Sequence, residues 1–109
     1  MSERIEKRHF TYVSASGSSQ LDYVIPNGKK LVIFEFGGEA SSSPETACCI
    51  GWDPAGAQEC LYSTHSAGVS TCRVELTGDG SKILRINLEN NLEESDHLGA
   101  WWKGILHDG

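Results

Sequence analysis

No stretch of this sequence approaches the roughly 18 consecutive apolar residues that a membrane-spanning helix needs. The longest candidate, Leu31-Val32-Ile33-Phe34, stops at Glu35. An export signal is missing as well, because Met1-Ser2-Glu3-Arg4-Ile5-Glu6-Lys7-Arg8 is charged throughout and has no apolar centre. Together these absences lead to the expectation of a soluble chain, made in the cytoplasm, with no signal peptide and no membrane insertion. Positive charge is scarce: 9 Lys and Arg stand against 15 Asp and Glu, a formal net charge of -6. Binding to a phosphate backbone draws on counterion release by clustered Lys and Arg, so nucleic acid is not an expected partner. Methionine occurs once and helix-favouring runs are few, whereas glycine occurs 12 times. That balance favours turns and short strands over helices.

Cysteine is also thin. Cys48, Cys49, Cys60 and Cys72 are the 4 in 109 residues, below the density of a disulfide scaffold, so reduced thiols are the default. One pairing stands apart from that default. A hairpin of residues 59–65 and 69–76 around Ser66-Ala67-Gly68 would set Cys60 opposite Cys72, within reach of a cross-strand disulfide.

What is present is a series of short alternating segments. The length suits one core and one domain, with residues 1–8 read as a charged tail and 9–109 as a single β-sandwich. Period-two patterns mark strands near 9–14, 20–25, 29–37, 46–52, 59–65, 71–76, 81–88 and 98–106. Pro26-Asn27-Gly28, Asp53-Pro54-Ala55-Gly56 and Thr77-Gly78-Asp79-Gly80 punctuate them as turns, the last expected to close a tight hairpin. In the third segment Leu31, Ile33 and Glu35 fall on one side and Val32, Phe34 and Phe36 on the other, so both faces look covered. In the seventh, the phase that buries Leu84, Ile86 and Leu88 leaves Ile83, Arg85 and Asn87 outward. About eight strands at this spacing predict an all-β, antiparallel, jelly-roll-like sandwich.

Few residues suggest chemistry. Neither a Gly-x-Ser-x-Gly turn nor a Cys/His signature is present, and the glycine pairs do not lead into a phosphate-binding helix. His9, His65, His97 and His107 lack short ligand spacing, so no metal and no cofactor is expected. A small cupin-like metal enzyme built on His65, His97 and Glu35 is the least favoured reading. Glu93-Glu94-Ser95-Asp96 reads as a solvated acidic turn. Glu35, between Phe34 and Phe36, is expected on a semi-exposed face. The adjacent Trp101 and Trp102 must point to opposite sides of a strand, so one of them faces outward and needs a partner.

Three segments carry a resemblance: Tyr23-Val24-Ile25-Pro26-Asn27-Gly28-Lys29-Lys30-Leu31, Thr77-Gly78-Asp79-Gly80-Ser81-Lys82-Ile83-Leu84-Arg85-Ile86 and Leu98-Gly99-Ala100-Trp101-Trp102-Lys103-Gly104. They resemble small β-sandwich proteins of tailed phages and prophages, including the tip-like domains of trimeric fibres. The resemblance implies a non-catalytic structural or adhesive protein, a homo-oligomer with a trimer favoured, and association with a virion. Its implied partners are another virion protein or a cell-surface glycan. The strands bearing Phe34, Phe36, Trp101 and Trp102 are expected to supply the subunit contacts or a stacking surface. A monomeric carbohydrate-binding module using an outward Trp is the alternative.

Overall fold

The alternation Ile83-Leu84-Arg85-Ile86-Asn87-Leu88 sets one whole side of a strand against the interior, and Leu84, Ile86 and Leu88 are fully buried there. The computed structural model describes residues 2–41, 44–53 and 59–108, and positions 54–56 of the turn expected at 53–56 lie outside them. The described chain forms β1 (Ser2–Val13), β2 (Gly17–Val24), β3 (Lys29–Glu39), β4 (Thr46–Trp52), β5 (Glu59–Thr64), β6 (Gly68–Thr77), β7 (Ile83–Asn90) and β8 (Asp96–Asp108). They build two four-stranded sheets of order β1-β8-β3-β6 and β2-β7-β4-β5, every pairing antiparallel. This is the interleaved order of a jelly roll, as expected.

Between the sheets, Leu31, Ile33, Phe36, Leu98, Ala100 and Trp102 of one meet Cys48, Ile50, Leu84, Ile86 and Leu88 of the other. Each fully buried aliphatic side chain of this kind stabilises the fold by about 1.5–3 kcal/mol before the entropy of ordering it is subtracted. At one end Asn90, itself fully buried, ties the end of β1 to the loop that follows β7. Its Nδ2 donates to the carbonyls of Val13 at 3.0 Å and Glu94 at 2.9 Å, and its Oδ1 accepts from the Leu92 amide at 2.9 Å.

Three expectations change. Residues 2–8 are not a tail, because β1 pairs with β8 from Ser2 opposite His107 to Val13 opposite Asp96; the alternating charges of this stretch suit an exposed edge strand. The hairpins expected between residues 59–65 and 69–76, and at Thr77–Gly80, are absent, since β5 and β6, like β6 and β7, lie in different sheets. A tight turn fixes only a reversal of direction. Whether the returning strand pairs with its predecessor or crosses to the facing sheet depends on where its apolar side is buried. The turn residues themselves behave as read, with Gly28 at φ 80° and Gly80 at φ 84°, in the region where a Cβ would be strained.

The third correction concerns which aromatics face out. The pairing of β3 with both β6 and β8 shifts register between Ile33 and Glu35. This irregularity breaks the period of two, so Phe36 joins Leu31 and Ile33 inside, 2% exposed, and Trp102 opposite it is 1% exposed. Neither is available for a subunit contact or a ligand.

Candidate functional site

With Trp102 turned inward, alternation along β8 sends His97, Gly99, Trp101, Lys103 and Ile105 to the outer face of the β1-β8-β3-β6 sheet. The β1–β8 register places Tyr12, Phe10, Arg8, Glu6 and Arg4 directly beside them. Two of the partners on this face are glycines, and the large rings lie over them. The space a Cβ would need at Gly37 is taken by the Trp101 indole, and that at Gly99 by the Phe10 ring. The rings continue as a ladder across β1 and β8. Phe10 stacks on Trp101 with centroids 6.0 Å apart and planes 20° apart, and His97 lies 6.4 Å from Phe10 and 5.1 Å from Tyr12. Arg8 sits 5.6 Å over Trp101 and Arg4 5.2 Å over Phe34. Tyr12 is 74% exposed and Val69 62%, with Ile105 and Phe10 also open to solvent.

Charge anchors the ladder. The Trp101 Nε1 donates to Glu35 Oε2 at 2.9 Å, and Lys103 Nζ lies 3.2 Å from the same oxygen. These two contacts hold the Glu35 carboxyl below its ordinary range, the indole hydrogen bond contributing most. Glu35 is thus on a half-buried outer face, as the sequence implied, and it fixes the plane of the indole. The outer face of the β2-β7-β4-β5 sheet is different in kind. It presents Asp22 in a bidentate pair with Arg85 at 2.7 and 2.9 Å, and Gln20 bonded to Asn87 at 3.1 Å. The polar surface on one side and the aromatic surface on the other make the latter the candidate functional site.

Of the residues singled out in the sequence, the structure brings Phe34 and Trp101 to this face and places Phe36 and Trp102 in the core. Phe10, Tyr12, Arg8 and Ile105 were not foreseen, and His97 was foreseen only as a metal ligand. Their signal is the spacing Phe10-x-Tyr12 against His97-x-Gly99, which becomes visible only once β1 and β8 are known to pair. His65, His97 and Glu35 do not converge: His65 Nδ1 is bonded to the Thr46 carbonyl at 2.8 Å, His97 belongs to the aromatic ladder and Glu35 to Trp101. Among the described residues no group of three or more His, Cys, Asp and Glu is arranged to hold a metal ion. Glu93 and Glu94 line an open concavity with Glu45, Asn91 and Leu92.

Cys60 and Cys72 are apart. Cys60 lies on β5, whereas the Cys72 thiol on β6 points to the Ile33 carbonyl, 3.8 Å away. Cys60 instead meets Cys49, its Sγ 3.1 Å away. Among the described residues, no helix is long and apolar enough to cross a membrane.

Neither a family model nor a curated protein matches the chain. Among solved structures, the Drosophila NLP core, described for pentamer formation and histone binding, superposes with a TM-score of 0.47 at 11% identity, over 93% of this chain and 98% of that one. A chain of infectious bursal disease virus, Gx strain, gives 0.44 at 7%; all of this chain corresponds to 32% of it. A CBM4 gives 0.39 at 13%, over 92% of this chain and 71% of that one. Likenesses this distant carry no functional argument.

Proposed function

We propose that the chain is a non-catalytic structural or adhesive module that works by self-association through the outer face of the β1-β8-β3-β6 sheet. The observation that carries this reading is the aromatic ladder of Tyr12, His97, Phe10 and Trp101, flanked by exposed Val69 and Ile105, on one sheet face only. A contiguous apolar surface rimmed by polar groups marks an interaction site. Charge supports a second copy as the occupant. Arg4, Arg8, Lys30, Arg73 and Lys103 stand on this face against Glu6, Glu35, Glu39 and Glu75, close to balance in a chain of net charge -6. The excess negative charge lies elsewhere, so two copies meeting here avoid the repulsion that other approaches meet. The principal extents of 46 and 26 Å are ample for the roughly 800 Å² per partner of a stable interface.

The sequence resemblance to fibre-tip domains favours a trimer, and with it a virion or adhesive setting. Light scattering coupled to size exclusion tests the reading: a salt-resistant oligomer that Tyr12→Ser together with Ile105→Ser converts to monomer supports it. A wild-type monomer across the accessible concentration range overturns it.

One observation favours a second reading. Trp101 and Phe10 lie nearly parallel and flat on the sheet, a platform suited to the apolar face of a sugar ring. On that reading the protein is a monomeric carbohydrate-binding module, and glycans change Trp fluorescence in the wild type and not in Trp101→Phe. A flat titration across a broad glycan panel removes it.

A further inference from the structure

On the opposite side of the molecule, Cys49 and Cys60 lie on neighbouring strands of the β2-β7-β4-β5 sheet with their sulfurs 3.1 Å apart. The contact depends on a local irregularity. Cys49 is paired directly with Ser63, and Cys60 with Gly51, because the β4–β5 register shifts between Ile50 and Gly51. That shift draws the Cys60 side chain diagonally towards Cys49. Cys49 belongs to the sheet's outer face, since its neighbours Cys48 and Ile50 are fully buried on the inner one, and the sulfur contact brings Cys60, itself exposed, to the same face.

We propose that Cys49 and Cys60 form a dithiol site that closes to a cross-strand disulfide when a small disulfide oxidant reaches Cys60. The two sulfurs have unequal access: Cys60 is exposed on an edge strand, and Cys49 is half-buried. Burial, and then the neighbouring Cys60 sulfur, push the Cys49 thiol up to about 12, so it is a poor first nucleophile at neutral pH. Cys60 therefore attacks first. Its thiolate takes one sulfur of the oxidant and releases the other half as a thiolate, leaving a mixed disulfide on Cys60. Capping Cys60 removes its contribution to holding the proton on Cys49. The Cys49 thiol then gives its proton to solvent and its sulfur attacks Cys60 Sγ, expelling the second half of the oxidant. Two protein thiols lose two electrons and two protons, and one small disulfide becomes two thiols. The other cysteines do not compete: Cys48 is fully buried and directs its thiol to the Gly99 carbonyl at 3.1 Å, and Cys72 lies in the facing sheet with its thiol directed to the Ile33 carbonyl of its neighbouring strand.

The test uses the full-length protein in mixtures of reduced and oxidised glutathione, quenched in acid, alkylated and mapped by mass spectrometry. The expected result is loss of two hydrogens, a peptide cross-link between Cys49 and Cys60, and alkylation of Cys48 and Cys72 only after unfolding. In Cys49→Ser, Cys60 is expected to stop as a glutathione adduct; should that variant fail to fold, the wild-type map alone decides. Absence of the cross-link at every ratio, or a cross-link from Cys60 to Cys72 or Cys48, overturns the proposal. Because the pair lies on the polar face, its closure is read independently of the self-association described above.

Discussion

Asn90 and Glu35 are polar side chains in positions where an apolar residue would pack, and each is held by what it bonds. Asn90 occupies the last inward position of β7, where water cannot reach it, and its amide serves the carbonyls of Val13 and Glu94 while its oxygen serves the Leu92 amide. Asn90→Ala strands those backbone groups and is expected to cost about 2–3 kcal/mol in chemical denaturation, with the slope of the transition unchanged. A cost within error of zero would mean that water replaces the amide. Glu35 works at the surface. Its folded carboxyl titrates below the ordinary 4.5, through the Trp101 indole first and Lys103 second. A depressed carboxylate contributes stability that is present above its unfolded value and is lost as pH falls through the folded one. Trp emission is therefore expected to change as the pH drops below about 4.5, as protonation weakens the indole contact. The change should disappear in Trp101→Phe and persist in Trp52→Phe; a transition unaffected by removing Trp101 would assign it to another indole.

At the level of strands, the glycines opposite the rings decide how the face is built. Gly37 lies across from Trp101 on β3, and a methyl there would occupy the volume of the indole. Gly37→Ala is expected to lift Trp101 off the sheet, break its bond to Glu35, shift its emission to the red and cost roughly 1–3 kcal/mol. An unchanged spectrum would show that the backbone moves instead of the ring. The same strands explain how much the sequence disclosed. Eight strands were legible because each alternates or is bounded by turn residues, although the first half of β1 reads as a tail, and in β7 even the facing of Leu84, Ile86 and Leu88 followed from period two. Trp101 and Trp102 were correctly separated by the same rule, without its saying which faced in. Phe36 was misplaced because the register shift after Ile33 breaks that rule, and no residue between Ile33 and Glu35 announces an irregularity. The Cys49–Cys60 contact was hidden for the same reason in β4 and β5. Phe10 and Tyr12 escaped notice because their meaning depends on a partner almost ninety residues away in the chain.

For the molecule as a whole, the consequence of jelly-roll order is that the first and last strands lie side by side, which a reading of local turns does not reveal. β8 is an inner strand of its sheet only because β1 covers one of its edges along its full length. The charged residues of β1 bear on this directly. Glu6 bonds Arg8, Arg8 covers Trp101, and Arg4 covers Phe34; on the other side of the strand Lys7 reaches the Tyr23 ring, 5.5 Å away in the facing sheet. Removing residues 1–8 would leave the second half of β8, from Trp101 to His107, with an open row of amides and carbonyls next to Trp101 and exposed Ile105. Such an edge is a template for pairing with another chain. The truncated protein is therefore expected to melt at least several degrees lower, since a loss of only 1 kcal/mol shifts a domain of this size by about 4–8 °C, and to scatter light on standing at concentrations where the full chain stays clear. Scanning calorimetry and static light scattering on the two proteins, prepared alike, separate the outcomes. An unchanged melting temperature and a clear solution would mean that residues 1–8 contribute nothing to the sheet. A lowered melting temperature without scattering would keep β1 as a structural strand while showing that the edge of β8 protects itself.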